Sequence, residues 1–283
     1  MKLVSAEAVK REGRVDDYDK LKAGVKWMWS LGDYGEVATR LEAQAQELAS
    51  RCGIRAGMEV LDVAAGNGNF AIAAARAGGR VTATDLTPKM VELGAARTGA
   101  EGLEIEWLEA DAEELPFDAG RFDVVASVFG AMFAPRPDRV AAELFRVAKR
   151  GGVVAMANYG FGGFLARTVD VLRAYSPPSP LDLPSPFTWG EEPELRRRFD
   201  GLASSIDVQH RKLAFAFNDA DEARDFWERT NPPLIALRGM LPPEAYQKLR
   251  IALSDLIREL GREEDDRLVL ESDFLSVVAR KGA

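Results

Sequence analysis

The chain of 283 residues has one cysteine and one histidine. Cys52 has no partner for an internal disulfide, and no set of His, Cys or carboxylate residues shows metal-site spacing. No apolar run approaches the roughly 20 residues of a membrane span. The first stretch, MKLVSAEAVKREGRVDDYDK, is charged throughout and lacks the apolar core of a signal peptide, so a cytoplasmic location is expected. Basic residues are also in deficit. Lys and Arg total 37 against 45 Asp and Glu, a formal charge of −8. An acidic surface repels phosphate backbones, so no nucleic-acid partner is expected. No internal repeat or low-complexity segment is evident. The length suits one large α/β domain, or one domain with a sizeable insertion.

What is present is an alternation of strands and helices. Residues 16–52 read as helical; Leu41, Ala45, Leu48 and Cys52 fall on one face, and Gly53 can cap the end. This makes Cys52 a packing residue. Strand MEVLDVA leads to helix NFAIAAARAG, strand RVTATD to a helix from Pro88, then come strands LEIEWLEA and FDVVASVF, helix DRVAAELFRVAKRGG and strand VVAMANY. Such alternation implies right-handed crossovers and a largely parallel sheet covered on both faces. After Tyr159 the pattern breaks. GFGGFLARTVDVLRAY reads as a helix, and SPPSPLDLPSPFTWGEEP is too rich in proline for regular structure. Its Phe187 and Trp189 are expected to cover a pocket mouth. Residues 202–217 and 268–280 are rich in β-branched and aromatic residues and can pair as an antiparallel end to the sheet.

The turn after the first strand reads Asp62-Val63-Ala64-Ala65-Gly66-Asn67-Gly68-Asn69. Glycines there let the backbone turn sharply and approach a ligand. Gly66, Gly68 and Ala71 also fit the dinucleotide pattern G-x-G-x-x-G/A, so a nicotinamide-dependent oxidoreductase is one reading. Asp62 weighs against it, because a carboxylate before the glycines repels a pyrophosphate and attracts a cation. Its other reading is an acceptor for turn amides. Asp85 ends the second strand, where an acid can accept from ribose hydroxyls. Asp85 also reads as a helix cap, but Thr87 followed by Pro88 is the better one, which leaves Asp85 free. In EADAEELPF, Asp111 can accept from an adenine amine and the Ala112 amide can donate to the ring. Glu113 and Glu114 read as solvated charges.

The stretches VLDVAAGNGN, VTATDLTPKM, LEADAEELPFDAGRFDVVASVFGAMFAP and LFRVAKRGG, in this order and spacing, resemble the class I S-adenosylmethionine-dependent methyltransferases, in their ubiquinone/menaquinone-biosynthesis-like small-molecule branch. The likeness runs over roughly residues 55–158. It departs from the family pattern in having Ala65-Gly66-Asn67-Gly68 for Cys-Gly-Thr-Gly, and Arg150-Gly151-Gly152 for Pro-Gly-Gly. The resemblance implies a Rossmann-like, seven-stranded, mostly parallel sheet with one antiparallel strand and a helical cap. It implies S-adenosyl-L-methionine as cofactor, with S-adenosyl-L-homocysteine as product. Ala64, Gly66 and Gly68 would cradle the methionine part, with Asp62 near its amino group. Asp85 would take the ribose, Leu86 and Met90 would flank the adenine, and Asp111 and Ala112 would read its edge. Ser127, Val128 and Phe129 would face the ligand. KAGVKWMWSLGDYGEVA resembles a lid segment of some relatives; Trp29 and Tyr34 either cover the cofactor or are core aromatics.

The implied division is a helical lid (1–54), a cofactor-binding core (55–159), cap insertions over the acceptor (160–201 and 218–265) and strands completing the sheet (202–217 and 266–283). The expected activity is methyl transfer to a small, hydrophobic or aromatic acceptor. A protein of this fold that binds the cofactor but has lost or changed methyl transfer is the alternative. For a base, the candidates are His210, Tyr159 and Tyr34, and an edge or surface position is the other reading of His210. Monomer and homodimer both stand open.

Overall fold

A computed structural model describes residues 6–282 apart from 33 and 180, with side chains from residue 17 onward. Three helices come first, α1 (Ala6–Trp29), α2 (Tyr34–Arg40) and α3 (Glu42–Cys52). The alternating half follows as β1 (Glu59–Val63), α4 (Asn69–Arg76), β2 (Arg80–Asp85), α5 (Pro88–Ala100), β3 (Ile105–Glu109), β4 (Phe122–Val128), α6 (Pro137–Val147) and β5 (Ala148–Gly163). The rest is α7 (Phe164–Arg173), α8 (Glu192–Phe199), β6 (Ala203–Phe217), α9 (Ala220–Thr230), α10 (Pro232–Met240), α11 (Pro243–Leu260), β7 (Arg262–Glu264) and β8 (Arg267–Lys281). Among the described residues no helix is long and apolar enough to cross a membrane.

The sheet runs β3-β2-β1-β4-β5-β8-β6, with β7 paired to β8 off this path. From β3 to β5 all neighbours are parallel; β8 is antiparallel to β5, and β6 to β8. The architecture is therefore the expected one, with one reversed strand, and the short β7 is an addition. Val60–Val63 and Val124–Ala126 are buried, as strands covered on both faces require. The chain steps from β1 to β2 and β3 in one direction and from β4 to β5 in the other. Right-handed crossovers then put α4 and α5 on one face and α6 on the opposite face. The carboxyl ends of β1 and β4 diverge at this switch point, and a crevice opens there.

Both ends of β5 differ from the sequence expectation: Ala148–Gly152 belongs to the strand and not to the helix before it. The stretch from Gly160 to Gly163 continues β5 instead of starting a helix, and Gly163 pairs with Ser272. Gly190 lies so close to it that a Cβ there would stand 2.3 Å from the Gly160 Cα and 2.4 Å from the Tyr159 carbonyl oxygen. The proline-rich segment forms a short 3₁₀ turn, Pro186–Gly190, whose first free amide, that of Phe187, donates to the Ser185 hydroxyl. Trp189 is fully buried against Phe199, with the Arg198 guanidinium 4.5 Å from its ring centre. This corrects its expected place at a pocket mouth: Trp189 anchors the segment, and Phe187 alone of the two faces a cavity.

Gly190→Ala should therefore destabilise the fold by about 2 kcal/mol or more, as overpacking against backbone does. Thermal denaturation should show a fall of several degrees, and an unchanged midpoint would refute this close packing.

Candidate functional site

A cleft opens at the carboxyl ends of β1, β2 and β4, under α1 and the start of α2. Its floor is two interlocked turns. Ala64, after β1, and Phe129, after β4, both hold left-handed φ angles, 54° and 56°. Non-glycine residues in that region cost about 1–3 kcal/mol each and persist where packing enforces them. Here the enforcement is mutual, because a Cβ on Gly130 would fall 2.2 Å from the Ala64 carbonyl oxygen. The Ser127 hydroxyl accepts from the Ala131 amide at 2.9 Å and pins the second turn.

Two carboxylates shape the first turn. Asp62 is 1% exposed, and its Oδ2 accepts from the Ala71 amide in the first turn of α4. It thereby caps a helix that begins after Gly68, which has no side chain to do so. Its Oδ1 is buried, has no partner, and belongs to a residue of the cleft wall. Burial pushes the Asp62 carboxyl up to about 8; the Ala71 amide opposes this and the Asp85 charge adds to it. Asp85 accepts from the Gly66 amide through Oδ2 and from the Thr87 amide through Oδ1, both at 2.9 Å. Burial raises its pKa too, and those amides hold it back. A buried carboxylate with an unused acceptor, facing a cleft, calls for a ligand with a positively charged donor.

The cleft is roofed by aromatic rings. Tyr34 lies so close over Gly66 that a Cβ there would be 3.2 Å from its Cε1. Trp29 meets Tyr34 edge-on at 5.9 Å and Phe133 at 5.6 Å. Helix α1 is strapped over the loop after β3 by ion pairs. Lys22 binds both Asp111 and Glu113, and Lys26 binds Glu109. The Glu113 side chain is completely buried; Arg136 donates to it through its backbone amide and its guanidinium, at 2.6 Å for both N and Nε.

The pattern of the methyltransferase-domain family matches residues 61–156, the span that builds this cleft. Residues 61–156 thus carry a methyltransferase domain. An uncharacterized protein of Mycobacterium tuberculosis is 41% identical over 258 residues, covering 90% of this chain and 93% of its own. The ubiquinone/menaquinone biosynthesis C-methyltransferase UbiE of Rhizobium johnstonii is 43% identical over 108 residues, 36% of this chain and 42% of that protein. Among solved structures, phosphoethanolamine N-methyltransferase 2 of Haemonchus contortus, in complex with S-adenosyl-L-methionine, shares the fold. Its TM-score is 0.52 at 20% identity, over 85% of this chain and 53% of that one. The residues present suit S-adenosylmethionine: an orphaned buried acceptor on Asp62 matches its cationic amine.

Trp29, Tyr34, Asp62, Ala64, Gly66, Asp85, Leu86, Met90, Asp111, Ala112, Val128 and Phe129 all line the cleft. Gly68 and Ser127 do not; Gly68 serves the turn at φ 93°, packed against Trp107, and Ser127 holds the neighbouring turn. Asp85 is not free as expected: it holds the Gly66 and Thr87 amides, and the Thr87 side chain and Leu86 amide also interact with it. The Thr87 hydroxyl makes no cap bond. Glu113 is a buried ion-pair centre instead of a solvated charge, whereas Glu114 is exposed. The His210 side chain is 70% exposed on β6 and bonded to Glu192, outside this cleft, so its place as a candidate base is corrected. Sequence reasoning missed Lys22, for which a lysine in a charged helix gives no signal. It also missed Phe133, which the aromatic run after β4 did offer.

The raised Asp62 pKa has a consequence for stability. A carboxyl whose folded value lies above its unfolded value contributes fully below the unfolded pKa and loses that contribution as pH rises through the folded one. Ligand-free protein should thus weaken between about pH 4 and 8, with Asp85 acting in the same sense. Asp62→Asn should narrow the gap in Tm between pH 5 and pH 8 by about 2 °C or more. An identical gap in both proteins would rule out an uncompensated acid at this position.

Proposed function

We propose that the chain transfers a methyl group from S-adenosylmethionine to a small hydrophobic or aromatic molecule held in a second chamber. The observation that carries this is a shared wall. Beside the cleft lies a mostly apolar cavity, as small-molecule pockets usually are. Trp29, Tyr34, Phe129 and Phe133 line both spaces. The second chamber is completed by Tyr159, Phe187, Phe215, Trp227 and aliphatic residues of α7. Its two threonines are already satisfied: Thr168 donates to the Phe164 carbonyl and Thr230 to that of Phe226. Such walls favour an apolar guest.

When bound, the cofactor supplies a methyl group on a positively charged sulfur. On our reading Asp62 accepts from the cofactor's ammonium through its unused oxygen. Asp85 accepts from the ribose hydroxyls. Leu86 and Met90 flank the adenine, while Asp111 and Ala112 face its edge. Trp29 and Tyr34 close the roof and keep water from the junction, which strengthens every electrostatic contact inside. Alignment across the shared wall is the chain's main catalytic contribution.

Methyl incorporation from labelled cofactor across a library of small aromatic molecules tests this. Tight cofactor binding with no transfer to any of them would favour a protein that binds the cofactor without methylating. Asp85→Ala should weaken cofactor binding tenfold or more, as loss of hydrogen bonds to a charged group does. Calorimetry showing equal affinity would leave Asp85 as a turn residue only. Phe187→Ala should raise the acceptor KM severalfold and keep cofactor affinity within about twofold, because the sites are separate. Trp189→Ala should instead lower Tm by several degrees, given its full burial. Equal effects of the two substitutions on acceptor kinetics would contradict this division.

A further inference from the structure

The second chamber has no side chain able to take a proton at neutral pH. Among its described lining residues there is no lysine, arginine, histidine, aspartate, glutamate or cysteine. His210 is on the outer edge strand, and Cys52 is buried in the packing face of α3. The titratable groups that remain are two phenols. Burial pushes Tyr34 up to about 12, with the Asp85 charge adding to it. Burial likewise raises Tyr159, and the Tyr34 charge adds to that. Both are neutral donors at neutral pH, and neither hydroxyl is hydrogen-bonded to a described residue. Tyr159 stacks on Phe129 at 4.1 Å, which fixes its ring against the shared wall.

The charged groups around the pair do not change this. Asp62 and Asp85 face Tyr34 across the cleft. From α1, Lys22 is neutralised by Asp111 and Glu113. From α5, Lys89 donates to the Ser30 and Gly32 carbonyls. On the cap side Arg229 is paired with Glu36, and Arg40 lies over Phe217 and Phe226.

We propose that Tyr34 and Tyr159 receive the ionised oxygen of an acidic hydroxyl acceptor, a phenol or an enol, which therefore enters the chamber already deprotonated. The inference rests on the second chamber being the acceptor site. A phenolate oxygen has three lone pairs; two take the phenol donors and one remains for the methyl carbon. The new O–CH₃ bond forms as the S–CH₃ bond breaks, and the electron pair of the broken bond stays on sulfur. The proton has already gone to solvent, so no base is needed. Opposite charges cancel during transfer, which a dry chamber of low dielectric favours over water. An alkylamine acceptor fits poorly, because it is protonated at neutral pH and no described lining residue would deprotonate it.

The test uses 4-nitrophenol, whose anion absorbs in the visible, with the full-length chain. The protein is saturated either with the neutral thioether product or with an unreactive analogue that carries an ammonium in place of the methylsulfonium. The bound dye should ionise about tenfold more readily than free dye, one pH unit lower. The shift should be larger with the ammonium analogue, and Tyr159→Phe should reduce it severalfold at unchanged Tm. Dye that binds in its neutral form, or a shift that Tyr159→Phe leaves intact, would overturn the proposal. So would binding of naphthalene but not of the dye. If neither probe binds while the cofactor product does, the acceptor-chamber reading itself falls, and this inference with it.

Discussion

The carboxylate of Asp62 stands where the connections of the sheet diverge, and the surrounding geometry turns on its being half satisfied. One oxygen caps α4 and so fixes the turn after β1; the other is sealed from solvent without a partner. A protein interior tolerates such an atom when a ligand completes it. The strained Ala64 and Phe129, the contact between Gly130 and the Ala64 carbonyl, and the Asp85 bond to the Gly66 amide all hold that oxygen's surroundings in place. On the proposed function, the cost of this unpaired acceptor and the affinity for a cation are two aspects of one interaction.

Around this point the molecule divides its tasks. The strands β1 to β4 set the cofactor cleft, while α1, α7, α9, α10 and the 3₁₀ turn supply the aromatic and aliphatic walls beyond the shared barrier. Helix α1 belongs to both parts. Its lysines are tied to the loop after β3, and its Trp29 stands in the wall between the chambers. Ion pairs thus hold this helix to one part, and aromatic packing holds it to the other.

Much of this was legible in the sequence because it rests on local chemistry. Two spaced glycines after a buried strand, an acid at the end of the next strand, and alternating β-branched residues near the carboxyl end each have a nearby physical cause. They placed the cleft and the reversed strand. What the sequence concealed depends on contacts between distant segments. Glu113 and Glu114 are adjacent acids, and only the approach of Lys22 and Arg136 makes one of them buried. Phe187 and Trp189 are two residues apart in a proline-rich stretch, and the close contact of Gly190 with β5 decides which ring faces a cavity. Asp85 and Thr87 were both plausible caps, but the fold brought the Gly66 amide to Asp85, so the acid took up two amides where a free one was expected. Local pattern identifies candidates, and tertiary contact assigns their work.

The most direct check of Asp62 is the proton balance of cofactor binding. Calorimetric titration of S-adenosylmethionine at pH 7, in buffers of different ionisation enthalpy, counts protons released. With Asp62 poised at about 8 in the free protein, binding of a cationic amine should expel about one proton per cofactor molecule, and Asp62→Asn should abolish most of that release. Binding with no proton release in the wild-type protein would contradict the account.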